Sequence, residues 1–184
     1  MAKELEIEKK YMVKQLPENL NNYEHMTIEQ SYLNKGGAPI RLRKFIMNGQ
    51  IKCIFSKKAR VEEGSFECIE NNIELPENIY DELLKAKEGR TIIKTRYKIP
   101  LQDGLYVDLD LFHDFFEGVC IAEIEYKSVE QAKSYSVPKW LGNELTSSEK
   151  LANGYMATQA NSISEYKDFI LNSIDCKFEV TIHS

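Results

Sequence analysis

In five separate stretches of this chain, charged residues recur at every second position, largely grouped by sign. Glu4, Glu6, Glu8 and then Lys10 share one parity, with Leu5, Ile7 and Tyr11 on the other. Arg41 and Arg43 flank Leu42, and Lys94, Arg96 and Lys98 skip Thr95 and Tyr97. Asp108 and Asp110 alternate with Val107, Leu109 and Leu111, and Glu123 and Glu125 with Ala122, Ile124 and Tyr126. A spacing of two puts side chains on one face of a β-strand, so these segments read as strands with one charged and one apolar face. A single wet face is ordinary in an antiparallel sheet. Grouping by sign is not, because like charges on neighbouring positions repel and solubility does not ask for them. If the sheet rolls up with these faces inward, acids and bases line one lumen. Such a lumen needs a polyanion for its bases and divalent cations for its carboxylates, and a triphosphate with a divalent metal supplies both.

The remaining pattern fits that architecture. Period-2 alternation with turn punctuation predicts strands over residues 4–13, 26–34, 40–47, 50–57, 65–73, 91–100, 105–112 and 119–127. Asn48-Gly49 and Asp103-Gly104 are two-residue hairpin turns, and Gly36-Gly37 marks another tight connection. Residues 76–87 read as a helix with Pro76 in its first turn and Gly89 as its stop. Further helices are predicted over 128–134, capped by Ser128, and over 147–160 and 164–173, the last presenting Tyr166, Phe169 and Ile170 at helical spacing. The expected fold is mainly β with flanking helices (α+β): an eight-stranded antiparallel β-barrel forming a charged tunnel, with strands over about 3–127, helices over about 128–174 and a tail over 175–184. All 184 residues read as one domain.

Composition narrows the chemistry. A net charge of −5 argues against bulk nucleic-acid binding, which needs surplus Lys and Arg. The longest stretch without Asp, Glu, Lys or Arg, residues 151–164, is polar, so no membrane span is expected. The opening Met-Ala-Lys-Glu-Leu-Glu lacks the apolar run of a signal peptide, and the expected location is cytoplasmic. Cys53, Cys68, Cys120 and Cys176 show no Cys-x-x-Cys spacing, and His25, His113 and His183 form no i, i+4 pair. A zinc site is therefore not expected, and a metal here has to be a hard cation held by carboxylates, such as Mg²⁺ or Mn²⁺.

The same residues carry a family resemblance. Glu6-Ile7-Glu8-Lys9-Lys10 resembles the Glu-x-Glu-x-Lys signature of the CYTH superfamily, the triphosphate tunnel metalloenzymes. Further landmarks follow in order: Gln30-Ser31-Tyr32-Leu33, Ile40-Arg41-Leu42-Arg43, Lys94-Thr95-Arg96-Tyr97, Asp108-Leu109-Asp110-Leu111-Phe112, Ala122-Glu123-Ile124-Glu125 and Trp140-Leu141-Gly142-Asn143-Glu144-Leu145-Thr146. The resemblance spans residues 3–157 and is strongest to the small bacterial inorganic tripolyphosphatases. It implies a divalent metal held by Glu6, Glu8, Glu123, Glu125 and Asp110. It implies that Lys10, Arg41, Arg43, Lys57, Lys94 and Arg96 bind the triphosphate, with Lys58 and Lys52 the alternatives to Lys57. Glu125, Tyr32 and Glu67 are the implied catalytic side chains. Ser31 stands where the family often has glycine, and Leu151 where it usually has an aromatic.

The implied reaction is divalent-metal-dependent attack of water on a terminal phosphoryl group, most simply of inorganic tripolyphosphate. The same charges serve a class IV adenylyl cyclase, which turns ATP into cyclic AMP and pyrophosphate, or a thiamine triphosphatase. A non-catalytic polyphosphate or nucleotide binder is a further alternative, although a pure anion binder gains little from an acidic wall. A homodimer is a candidate assembly.

Overall fold

The computed structural model describes residues 2–35, 39–60 and 67–171, without the side chains of residues 2–5, 58–60, 67 and 68. Gly36-Gly37 and the tail over 175–184 lie outside the described residues. Nine strands are present among those described: β1 (Ala2–Val13), β2 (Glu24–Tyr32), β3 (Ile40–Met47), β4 (Gln50–Arg60), β5 (Glu67–Leu75), β6 (Glu88–Pro100), β7 (Tyr106–Phe112), β8 (Cys120–Glu125) and β9 (Leu141–Glu144). Eight match the predicted strands. The ninth is a short ladder on β1 from the Trp140-Leu141-Gly142 segment, where Gly142 lets the backbone approach Met12. No helix among the described residues is long and apolar enough to cross a membrane.

Every ladder is antiparallel, in the order β5-β4-β3-β2-β6-β7-β8-β1-β9, with an additional β5–β1 pairing. β1 makes the join. Its residues 2–7 pair with β5 and its residues 8–12 with β8, so the pairings of eight strands lead back to their start. These two contacts follow one another along β1, which leaves the seam staggered and not sealed along its length. Turn chemistry sets the hairpin registers. Asn48 and Gly49, at φ +51° and +75°, form the expected two-residue turn between Met47 and Gln50. Asp103 and Gly104, at +60° and +68°, are not a two-residue turn but part of a three-residue 3-10 connection, Gln102–Gly104, between Leu101 and Leu105.

The hydrophobic core sits outside this ring. Ile7, Tyr11 and Val13 of β1 pack with Val107 and Leu109 of β7 and Ala122 and Ile124 of β8, under Leu141 of β9 and Ala132 of helix α2 (Val129–Ser134). The Tyr11 and Tyr126 hydroxyls hydrogen-bond to each other at 2.8 Å within that layer. Helix α1 (Glu77–Leu84) covers Leu42 and Cys53 with Tyr80. Cys53 and Cys120 are buried. Each fully buried aliphatic side chain contributes about 1.5–3 kcal/mol, gained on the outward face in these two clusters and, in a third, around Ile92, Phe112 and Leu151 at one end of the ring.

The helical expectations need three corrections. Helix α1 ends at Leu84, and Gly89 is not its stop: it lies in β6 at φ +68°. A Cβ there would stand 2.1 Å from the Ala157 carbonyl oxygen, so Gly89 is required by close backbone approach. The predicted 147–160 helix is two pieces, a 3-10 turn (Glu149–Leu151) and α3 (Asn153–Thr158), broken at extended Ala152. That break lets Leu151 and Met156 enter the same buried cluster. The last helix is a 3-10 segment (Ile163–Phe169) started by a Ser162–Glu165 capping box, and Ile170 then bridges to Val119.

Candidate active site

Residues opposed across an antiparallel ladder share a face, and the charged face can be followed round the ring. Glu8 stands opposite Glu125, Lys10 opposite Glu123, and Glu123 opposite Asp108. Asp110 is opposite Arg96, Lys94 opposite Ile28, and Gln30 opposite Arg43. Arg41 continues the parity to Ser56, and Ser56 to Asn72. β5 and β3 are separated by β4, yet the Glu70 carboxylate of β5 pairs with both Arg41 and Arg43 of β3. Pairing across an intervening strand means that this face points inward.

Two clusters of ion pairs fill the interior. On the β6–β7–β8 side, Arg96 Nε and Nη2 donate to the two Asp110 oxygens at 2.7 Å each, and Nη2 also reaches Glu123 at 2.7 Å. Its Nη1 donates to Asp108 at 2.8 Å. Lys94 Nζ donates to Asp110 at 2.5 Å, and Lys10 pairs with Glu123. On the β3–β5 side, Arg41 and Arg43 both donate through Nη2 to Glu70 Oε1, Arg43 at 2.6 Å. Arg41 Nε also bonds Ser56 Oγ at 3.1 Å, and Arg43 Nη2 approaches Asn72 at 3.3 Å.

Burial alone drives these groups towards neutrality, and neighbouring charges decide the outcome. Burial and the adjacent Arg41 press Arg43 down to about 10, although Glu70 opposes the shift. Burial lowers Lys94 to about 8 against the pull of Asp110. Burial works to raise Glu70, but Arg41 and Arg43 outweigh it and hold the carboxyl at about 2. Burial is likewise overcome at Glu123, which Lys10 and Arg96 keep well below the usual carboxylate range. Asp108 is raised, because burial there exceeds the effect of Arg96. The Arg43 Nε is buried without a hydrogen-bond partner.

One end of the lumen is packed with apolar groups. Tyr32, Ile92, Phe112 and Ile121, the last inward positions of their strands, meet Leu151, Met156 and Ala157. Gly154 of α3 has room for a Cβ only in contact with the Tyr32 ring, at 3.5 Å, and Gln30 Nε2 donates to the Tyr32 hydroxyl at 2.6 Å. Arg90 fixes this plug, donating to the Ala160 carbonyl at 2.7 Å while stacked 3.8 Å from the Phe115 ring centroid. The carboxylates lie towards the other end, where Glu125 is exposed and Asp108 partly so.

No family model matches the sequence. Over 152 residues, 83% of this chain and 96% of its relative, it is 28% identical to an inorganic triphosphatase of Nitrosomonas europaea. The chain is a homologue of a triphosphatase. The crystal structure of the inorganic triphosphatase NE1496 superposes with a TM-score of 0.62 at 26% identity, covering 85% of this chain and 97% of that one. A conserved hypothetical protein from Pyrococcus furiosus shares the fold at a TM-score of 0.51 and 22% identity, over 70% of this chain and 83% of its own. The resemblance read from the motifs is thus matched by a triphosphatase relative along most of the chain.

Set beside that triphosphatase resemblance, most expected site residues converge. Lys10, Arg41, Arg43, Lys94, Arg96, Asp110 and Glu123 share the interior, with Tyr32 at its packed end and Glu6 and Glu8 on the inward face of β1. Lys57 does not join them. It is exposed, and its neighbour Ser56 takes the inward register by bonding Arg41, so Lys57 points the other way. Lys58 has the register of Glu70, with its side chain outside the described residues, and Lys52 pairs with Glu74 at 3.2 Å at the surface. The side chain of Glu67 is also outside the described residues; its backbone stands opposite Ile7, whose side chain is in the outer core. The carboxylate that β5 delivers is Glu70, three residues on, which the motif reading missed. The alternation Glu70, Asn72, Glu74 was the signal available in the sequence. Among the described residues no three His, Cys, Asp or Glu side chains are gathered as a ready metal site, consistent with the pairing of Glu123 and Asp110 to bases.

Proposed function

We propose that this protein hydrolyses inorganic tripolyphosphate by attack of water on a terminal phosphoryl group inside the charged lumen. The observation that carries the reading is the convergence of Lys10, Arg41, Arg43, Lys94 and Arg96 within one ring, each held by a carboxylate. A triphosphate resists hydrolysis because its crowded negative charge repels the nucleophile. Preorganised guanidinium and ammonium groups in a water-poor site orient the chain and neutralise charge on the transferring group. Lys10, Lys94 and Arg41 lie one step from the apolar plug, which stops the terminal phosphoryl group beside them. The Tyr32 phenol, under the influence of Arg41, Lys10 and Arg43, is kept protonated by burial and donates a hydrogen bond at that end. Towards the open end, Glu125 is the side chain placed to accept a proton from water.

The donor set suits a hard divalent cation. Glu6 and Glu8 share one face of β1, Glu125 is Glu8's ladder partner, and Glu123 follows two residues before it. Oxygen-only donors select Mg²⁺ or Mn²⁺, which when bound supplies charge neutralisation on phosphate oxygens and a more acidic water. Asp110 has both oxygens engaged by Arg96 and Lys94, which suits it to holding bases in place.

Phosphate release from tripolyphosphate, ATP, GTP and thiamine triphosphate, measured side by side with Mg²⁺ or Mn²⁺ and with products identified, tests the reading. Orthophosphate and pyrophosphate from tripolyphosphate, abolished by chelator, are expected. Cyclic AMP from ATP would assign the chain to the cyclase chemistry, and no product from any triphosphate would overturn the proposal.

A further inference from the structure

We propose that Glu70 is a built-in competitor for the substrate: its carboxylate holds the anion subsite of Arg41 and Arg43 between turnovers, is displaced by the incoming triphosphate, and helps expel the products by returning. The inference rests on the reading of the lumen as a triphosphate site and concerns how that site is emptied.

The geometry differs from that of the other cluster. Arg96 uses all three of its nitrogens on three carboxylates: Nη1 serves Asp108, Nε and Nη2 grip the two oxygens of Asp110, and Nη2 is shared with Glu123. Arg41 and Arg43 instead converge through the same atom, Nη2, on one oxygen of one acid. Two guanidinium groups aimed at a single oxygen reproduce the arrangement by which a pair of arginines holds one phosphate oxygen. Glu70 therefore stands where that oxygen belongs. Its side chain is 2% exposed and comes from β5, two strands away from β3, so it crosses the space that a ligand has to enter. The backs of the two guanidinium groups are anchored differently. Arg41 Nε bonds Ser56 and keeps that bond whatever occupies Nη2. Arg43 Nε has no hydrogen-bond partner although buried, a donor that an anion with several oxygens satisfies and the single Glu70 oxygen does not.

The physical consequence has a definite sign. A buried carboxylate torn from its partners is strongly disfavoured, so displacing Glu70 weakens the binding of every phosphate that occupies this subsite. A triphosphate offsets the loss by reaching the Arg96 and Lys94 side as well. After cleavage neither fragment spans both clusters, and the carboxylate re-forms two charge-assisted hydrogen bonds as the product leaves. A side chain that merely positioned Arg41 and Arg43 for phosphate would behave in the opposite way, since its loss would weaken binding.

Calorimetric titration of wild type and Glu70→Gln with tripolyphosphate and with pyrophosphate, in chelator so that no turnover occurs, separates the two. Glutamine keeps the shape and one acceptor oxygen but not the charge. The competitor role predicts that Glu70→Gln binds both ligands at least about tenfold more tightly, and that pyrophosphate becomes a correspondingly stronger inhibitor of phosphate release. Equal or weaker binding by the folded variant overturns the proposal. A second measurement needs no variant: carbon-detected NMR of the Glu70 carboxyl in wild type. Its resonance should leave the ion-paired position as tripolyphosphate is added in chelator, and a resonance unmoved at saturation overturns the proposal as well. If wild type binds no phosphate of either length, the triphosphate reading of the lumen fails with it. If wild type binds tripolyphosphate and Glu70→Gln binds it no better, only the role of Glu70 falls.

Discussion

Replacing Arg96 by methionine tests whether the lumen is a dry, charge-balanced interior. Arg96 alone joins Asp108, Asp110 and Glu123, through contacts of 2.7–2.8 Å, and its side chain is 19% exposed. Without it, Lys94 remains for Asp110 and Lys10 for Glu123, so two lysines face three carboxylates. Removing one partner of a buried ion pair costs about 3–5 kcal/mol. Asp108, 35% exposed, adds little because water screens it. For a chain of this size 1 kcal/mol shifts Tm by about 2–4 °C, so Arg96→Met should lower Tm by about 6–20 °C at pH 7. Its pH dependence should also change sign. In wild type Glu123 is held low, and the stability it contributes is present above its unfolded pKa and lost as pH falls. In the variant, burial raises these carboxyls, the folded state binds protons more tightly than the unfolded one, and stability increases as pH falls from 7 towards 5. Urea unfolding at pH 7 and 5, with and without Mn²⁺, measures both effects, and the cation should stabilise the variant more than wild type. A loss below about 1 kcal/mol at pH 7 with no reversal would refute the reasoning, since it would make the lumen pairs equivalent to solvated surface pairs.

Glu70, held at about 2 against an ordinary 4.5, contributes stability that is complete above pH 4.5 and lost as pH falls towards 2. The urea midpoint of wild type should decline over that window, and Glu70→Gln should flatten the decline. Lys94, lowered to about 8 from 10.5, binds its proton less tightly folded than unfolded, so stability should rise between pH 8 and 10.5. Lys94→Met should remove that rise in a Tm series while reducing phosphate release at least about a hundredfold. Gly89→Ala sets a methyl group 2.1 Å from the Ala157 carbonyl at φ +68°, and the left-handed backbone alone costs about 1–3 kcal/mol. Faster hydrogen exchange across residues 153–158, with β7 and β8 unchanged, would locate the damage at the plug, and unaltered exchange there would dismiss the contact.

Much of the fold was legible because strands with alternating charge and apolarity leave little choice. Val107, Leu109, Ala122 and Ile124 needed a dry side and Asp108, Asp110, Glu123 and Glu125 did not, and antiparallel pairing then fixed which residues meet. The left-handed pairs were equally local, for Asn48-Gly49 and Asp103-Gly104 carry that preference themselves, although only the first is a two-residue turn and the second sits in a three-residue connection. The helical end of the chain was read less well. Residues 147–160 suit a helix in isolation, but Leu151 and Met156 both pack onto Tyr32, Ile92 and Phe112, and that requires the break at Ala152. Gly89 looked like a helix stop because glycine often is one, whereas its real constraint is a carbonyl from a segment more than sixty residues away.

The sequence by itself determined the charged faces, since a period of two is a local property that any strand displays. It did not determine which charges meet. A motif places Arg41 and Arg43 side by side, but only the folding of β5 against β4 brings Glu70 to both, and only the pairing of β1 with β8 sets Lys10 against Glu123. Lys57 and Ser56 show the same division: composition favours the lysine as the inward residue, and register turns the serine inward. Sign and spacing are written along the chain. Pairing across the lumen depends on strands far apart in sequence, and Coulomb energy in a buried interior depends on that distance above all.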